Sequence, residues 1–366
     1  MPRIPRVTRV RAALVTSLTV ALAGSVATAP ASAAVPAAPT AAPALSWQLR
    51  DTGHPTGHFR GLAPVNAKVA WISGYEGQVF RTIDGGATWA DVSPTGGDVA
   101  TLQFRDIDAS GAQHAVVMAA GEGAASRLLV TDDGGQHWTV ANQNANPAAF
   151  YDCMSFSDAE NGLVMSDPVG GKFRILKTVD GGHRWKIVPS TGMPAAKVGE
   201  FGFAASGQCL TTSGDDAWFG TGGPKAARVF HSTDAGVTWT ATTSSLNSSA
   251  SGGVFGLAFS TPSRGVIVGG DFATPTASVR IAATQLVGGA WKPSTRMPTG
   301  YRSGVTFVPG TAGTVLAVGL TGSDVSTDGG KTWTTFDTGQ FDTVSCAGGA
   351  CWAAGDQGRV AVLRGL

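Results

Sequence analysis

The chain has 366 residues, 51 of them Gly; 14% are charged and the formal net charge is +1. Glycine costs about 1 kcal/mol against alanine in a helix interior, which excludes a helical bundle or coiled coil. A hydrophobic content of 43%, with 10 Trp and 16 Phe, excludes a disordered chain, and the near-neutral balance leaves no electrostatic footprint for nucleic acid or an acidic membrane surface.

In chain order, Arg3, Arg6, Arg9 and Arg11 precede an apolar run of small residues over 12–29, and Ala31-Ser32-Ala33 follows as an A-x-A cleavage pattern. Residues 1–33 are expected to be a secretory signal peptide cut near Ala33, not a stable membrane anchor. Residues 34–44 read as a Pro/Ala-rich spacer and 45–366 as the folded domain. The mature protein is expected to be exported (secreted, periplasmic or held in the cell envelope) and monomeric. Export makes the four cysteines disulfide candidates. Cys346 and Cys351 can close one tight hairpin, and the pairing of Cys153 with Cys209 depends on the fold.

From residue 82 onward one pattern recurs: Thr82-Ile83-Asp84-Gly85-Gly86-Ala87-Thr88-Trp89, then boxes with Asp133 and Trp138, Asp180 and Trp185, Asp234 and Trp239, and Asp328 and Trp333. The Trp always lies five positions after the Asp, and the Asp-to-Asp steps are 49, 47, 54 and 94. A worn copy at Gly288-Gly289-Ala290-Trp291, with Leu286 in place of the Asp, halves the last step. An Asp carboxylate can cap the backbone N–H groups that follow it, and the glycines supply positive φ. Each box is therefore expected to be a hairpin between two strands, with structural aspartates and a Trp packing between sheets.

Upstream of the boxes are seven aromatic-led strand starts, at Phe59, Phe104, Tyr151, Phe201, Phe255, Tyr301 and Phe341. The last unit lacks a box, while Leu45-Ser46-Trp47-Gln48-Leu49 is an orphan strand. Four-stranded units of about 45 residues repeated radially are propeller blades. The expectation is all-β: a seven-bladed β-propeller closed by an N-terminal strand clasp.

The D-G-G-x-x-W boxes resemble the Asp-box (BNR) repeats of sialidases, some glucan hydrolases and several non-enzymatic propellers. Phe59-Arg60-Gly61-Leu62, Trp71-Ile72-Ser73-Gly74, Gly77-Gln78-Val79-Phe80-Arg81-Thr82 and Gly355-Asp356-Gln357-Gly358 are most similar to photosystem II stability/assembly-factor-like proteins. The resemblance covers about residues 45–363 and implies a scaffold that binds a protein or envelope partner. Some relatives carry an oxidoreductase label that no residue pattern here supports.

The residue after each leading aromatic is Arg60, Arg105, Asp152, Gly202, Gly256, Arg302 and Asp342, with Glu200 just before the fourth aromatic. If the aromatic packs between blades, its neighbour faces the channel. Two readings follow. Arg60, Arg105 and Arg302, with Asp152, Glu200 and Asp342, line a rim that binds an anionic ligand or partner, or they form ion pairs that stiffen the channel. A carbohydrate-active hydrolase is the alternative, drawing an acid and a base from Asp152, Glu200, Asp167, Asp271 or Asp324. No complete catalytic motif occurs, no pattern calls for a cofactor, and the six His are scattered without metal-ligand spacing.

Overall fold

The computed structural model describes residues 44–285 and 289–366. The leader, nearly all of the spacer, and Leu286 and Gly288 of the worn box lie outside the described residues. Seven four-stranded antiparallel sheets form in sequence order. Blades one to six span residues 59–91, 103–143, 151–187, 210–243, 252–293 and 304–337; blade seven combines Thr343–Ala347, Ala350–Ala354 and Val360–Arg364 with Ser46–Arg50. The first strand of each blade packs on that of the next, and blade seven meets blade one, closing the ring. Ser46–Arg50 is the outer strand of blade seven, with Trp47 opposite Leu363. Among the described residues no helix is long and apolar enough to cross a membrane.

Strand composition follows position in the ring. Second strands such as Ala115–Ala120 and Val315–Gly319 are buried at every residue, because a neighbouring blade covers each face, and they read as continuous runs of small and β-branched residues. Outer strands such as Thr240–Thr243 are largely exposed and polar, and their threonines suit an edge that must not recruit another strand.

The boxes join the third and fourth strands. In the first, Thr88 donates its backbone N–H to Asp84 Oδ1 (2.9 Å) and its hydroxyl to Oδ2 (2.6 Å). Thr82 Oγ1 donates to the same carboxylate at 2.8 Å and accepts the Gly86 N–H at 2.9 Å. The hydroxyl two positions before the Asp is thus part of the turn, a role repeated by Thr131, Thr178, Ser232 and Ser326. The box Trp reaches the preceding blade: Trp89 packs edge-on against Trp352 at 6.1 Å, and Trp138 against Trp71 at 6.4 Å.

These hydrogen bonds hold box carboxylates low. The Thr88 hydroxyl and N–H bring Asp84 down to about 2, the His137 N–H does the same for Asp133, and in Asp328 burial opposes the Thr332 bonds that bring it to about 2. A depressed native pKa stabilises the fold above the ordinary carboxylate value of 3.8, and the contribution is lost as pH falls through about 2. Burial acts oppositely on Asp108 and Asp167, pushed up to about 6, so their ionisation costs stability as pH rises from 3.8 through 6. Melting temperature is therefore expected to peak near pH 4, falling below it as the box carboxylates protonate and above it toward pH 6 as Asp108 and Asp167 ionise, in a calorimetric pH series. A flat profile from pH 2 to 5 would contradict this.

Both cysteine pairs are bridged, Cys153–Cys209 and Cys346–Cys351. The second links directly opposed residues of a hairpin only five positions apart, and so short a loop gives a small entropic gain. Replacing both Cys346 and Cys351 by Ser is expected to cost about 2 kcal/mol in urea unfolding.

One expected strand is not formed. Phe201 makes a single bridge to Gly222, and residues 203–209 then turn into the ring instead of starting the first strand of blade four, which begins at Leu210. Gly199 and Gly207 carry φ of +74° and +72°, the left-handed turns this path requires. The segment crosses the central channel. Ser206 Oγ donates to Ser303 O at 2.7 Å, Gln208 Nε2 donates to Val344 O at 2.7 Å, and Gln208 Oε1 accepts the Val305 N–H at 3.1 Å. Small residues are needed here, since a side chain at Gly207 would collide with the Asp106 carboxylate. The disulfide to Cys153 fixes the end of this plug to blade three.

Candidate functional site

The plug divides the channel into two cavities. One, of about 310 Å³, is lined by Arg60, Tyr75, Arg105, Asp342, the plug residues Phe203 to Ala205, and Phe255, Phe272, Tyr301 and Leu320. The other, of about 560 Å³, lies beyond Ser206 to Gln208 and includes Asp106 and Asp108.

Arg60 and Arg105 owe their aim to β-bulges. The pairing in blade one runs Phe59 to Gly74 and then Gly61 to Ser73, leaving Arg60 as the extra residue. Blade two repeats this with Arg105, and blade three with Asp152. A bulge bends the strand and re-aims one side chain without moving the paired residues to the other face. The leading aromatics Phe59 and Phe104 consequently stay fully buried.

The two guanidinium groups face the same ring, with Arg60 5.5 Å and Arg105 5.6 Å from the centroid of Tyr75. Both lean on the plug: Arg60 Nη1 donates to Ala205 O at 3.5 Å, and Arg105 Nη1 to Ala204 O at 3.2 Å. Gln103 Oε1 accepts from Arg105 Nε at 3.0 Å. Among the described residues neither has a carboxylate within 4.0 Å. Desolvation lowers the Arg105 pKa and the adjacent Arg60 charge adds to this, while Tyr75, Asp152 and Asp342 oppose it. Asp342 on the same wall is engaged by His58, whose Nε2 lies 2.9 Å from its Oδ2.

Opposite the cations stands an aromatic wall. Phe203 stacks on Phe255 with centroids 3.7 Å apart, and Tyr301 meets Phe255 edge-on at 4.7 Å. Burial raises the Tyr301 pKa, against the pull of Arg60, and keeps the phenol neutral. Phe272 is half exposed at the edge. An anion carrying an apolar group fits this combination: two adjacent cationic forks on one side and aromatic faces on the other.

Three of the six register residues are not on the rim. Arg302 is fully buried, donating through Nε to Asp324 Oδ2 at 2.8 Å and through Nη1 to Tyr301 O at 2.8 Å and Thr321 Oγ1 at 2.6 Å. Glu200 accepts from Arg228 Nε at 2.8 Å, from Thr221 Oγ1 at 2.6 Å and from the Lys197 N–H at 2.8 Å. Asp152 is buried against Gly202, with one oxygen unpartnered. Burial and then the Asp167 charge push its pKa well up, so it is held toward its neutral form beside Arg105. The strand-start register therefore does not assign roles by itself: Asp152 shares the bulge of Arg60 and Arg105 yet is buried, whereas Asp342 reaches the pocket wall without one. Arg302 lies before Gly304, where the strand begins, and Glu200 belongs to the lead-in to the plug.

A second regularity explains these pairs. Blades two, four and six each tie the lead-in segment to the third strand by one ion pair: Asp98 with Arg127 (2.8 and 2.9 Å), Glu200 with Arg228, and Arg302 with Asp324, the polarity reversed in the last. The acids considered for a hydrolase are similarly engaged. Asp324 holds Arg302, Asp167 accepts the Gly202 N–H at 2.8 Å, and Asp271 caps a turn through Ser249 and Ser251 at 2.6 and 2.7 Å. Sequence reasoning missed Tyr75, His58 and the aromatic wall as parts of the pocket. One signal was present: the chain has only three Tyr, and two of them meet here.

Residues 324–335 match the BNR/Asp-box repeat family. No curated protein matches the chain. Among solved structures the chain is similar to "YCF48 bound to D1 peptide", with a TM-score of 0.60 and 16% identity over 87% of this chain and 96% of that one. It is also similar to YCF48 from Cyanidioschyzon merolae (TM-score 0.59, 16% identity, 86% and 98% covered). A streptogramin B lyase has a TM-score of 0.62 at 10% identity, covering 88% and 98%. At such identities the likeness is one of fold.

Proposed function

We propose that this chain is an exported, non-enzymatic scaffold, released by cleavage near Ala33, that holds a carboxylate-bearing segment of a partner protein at one mouth of its plugged channel. Arg60 and Arg105 take the carboxylate, Tyr75 sets their spacing, and Phe203, Phe255, Phe272 and Tyr301 receive an adjoining apolar side chain. The observation that carries this reading is the convergence of two guanidinium groups, with no acidic partner among the described residues, in an aromatic-walled cavity of about 310 Å³. Unpaired cations in a half-buried pocket are costly unless an anion visits. A further support is that a solved protein of the same fold carries a bound peptide.

The test is a tiled array of peptides from envelope proteins, probed with the full chain and with an Arg60→Gln, Arg105→Gln double variant. The wild type is expected to retain a subset rich in Asp, Glu or free C-termini, and the variant to lose it. Equal retention by both proteins, or none by the wild type, would overturn the proposal.

A further inference from the structure

Two histidines far apart in sequence meet one carboxylate on the outside of the ring. His114, in the turn between the first two strands of blade two, places its Nδ1 2.8 Å from Asp132 Oδ1. His183, in the box of blade three, brings its Nε2 to 3.6 Å from the same oxygen. The three ligand atoms lie within 4.8 Å of one another, and among the described residues this is the one cluster of three or more His, Cys, Asp or Glu side chains so placed.

The turn chemistry does not require these residues. Asp133 alone caps the box of blade two, and the position of Asp132 is Ile83, Val179, Thr233 and Thr327 in the other boxes. The position of His183 is Ala87, Gln136, Val237 and Lys331 elsewhere. A hydrogen bond from His114 accounts for one ring only, since 3.6 Å is beyond hydrogen-bond reach for His183.

A tetrahedral ion with bonds near 2.0–2.1 Å spaces its ligands about 3.4 Å apart, between the two separations found here. Small side-chain rotations would therefore seat it. The frame is already fixed, because a Cβ at Gly181 would stand 3.4 Å from the His114 ring and the two loops are packed together. Imidazole nitrogen with a single carboxylate suits Zn²⁺, whereas Mg²⁺ and Ca²⁺ favour all-oxygen shells. The Asp132 side chain is 62% exposed, so water can complete the shell.

We propose that His114, Asp132 and His183 form a zinc site that staples blade two to blade three. The spacing of histidines along the chain gives no sign of it, and it replaces the expectation that the protein has no metal-binding cluster.

The test is titration calorimetry of the untagged full chain with ZnCl₂, alongside His114→Ala and His183→Ala. One equivalent is expected to bind the wild type and raise its melting temperature. Either substitution should weaken binding at least about tenfold and abolish the thermal shift, with MgCl₂ inert throughout. His54, His58, His137 and His231 remain in both variants and report any non-specific uptake. No saturable zinc binding, an affinity unchanged in both variants, or equal binding of Mg²⁺ would overturn the proposal. Should an alanine variant fail to fold by circular dichroism, Asp132→Asn gives the same reading on an exposed side chain.

Discussion

Arg302→Ala is expected to destabilise the propeller by about 3–5 kcal/mol while leaving peptide recognition at the channel mouth unchanged. The magnitude follows from leaving a buried charge alone. Asp324 is 1% exposed and would keep only the Thr335 hydroxyl at 2.6 Å as a side-chain donor. Three further contacts vanish with the guanidinium, those to Tyr301 O, Thr321 Oγ1 and Thr299 Oγ1. The cost belongs to the broken pair and not to the absence of charge as such. Replacing both partners, Arg302→Met with Asp324→Leu, is expected to recover most of the loss. Urea unfolding of the single and the double variant beside the wild type measures this. A single variant within about 1 kcal/mol of wild type would mean that the pair does not hold blade six.

Arg60→Gln with Arg105→Gln is expected to do the reverse. Each guanidinium donates only to neutral acceptors, and the contacts to Ala204 O and Ala205 O are long, at 3.2 and 3.5 Å. Losing them costs about 1 kcal/mol apiece at most, and relieving two adjacent cations offsets part of that. Binding depends on the same groups far more strongly. Charge-assisted hydrogen bonds to a carboxylate contribute about 1.5–3 kcal/mol each, so the double variant should lose about 3–4 kcal/mol, or two to three orders of magnitude in Kd. Fluorescence polarisation with a retained peptide checks this, and wild-type affinity should weaken as salt is raised.

The blades were legible because their turns are local chemistry. Asp, Gly pair and Trp occupy fixed positions within eight residues, so the repeat survives in the sequence wherever the hairpin survives in the fold. The plug was not legible in the same way. Phe201-Gly202-Phe203 has the residues of a strand start, and only packing against other blades decides that it turns inward. A trace of it existed: the step from Asp180 to Asp234 is 54, longer than its neighbours at 49 and 47, and the surplus lies in the unit that crosses the channel.

The charged register was readable as a pattern but not as a set of roles. Alternation predicts which way a residue points in a regular strand, and a bulge breaks that count at Arg60, Arg105 and Asp152. What separates Arg105 from Arg302 is a partner 22 positions downstream, Asp324, brought alongside by the third strand of the same blade. Distance in sequence carries no mark of that pairing. Nor does it mark the approach of His183 to His114, which belong to different blades.

The division between binding and stiffening arginines is tested most directly by one measurement: the Nε–H resonances of the arginines, recorded by ¹⁵N NMR while a retained carboxylate peptide is added. Arg60 and Arg105 are expected to shift together and saturate at one equivalent, with Arg127, Arg228 and Arg302 unmoved in their ion pairs. Shifts at the buried arginines, or none at Arg60 and Arg105 while peptide binds elsewhere, would contradict the assignment of the channel mouth as the binding site.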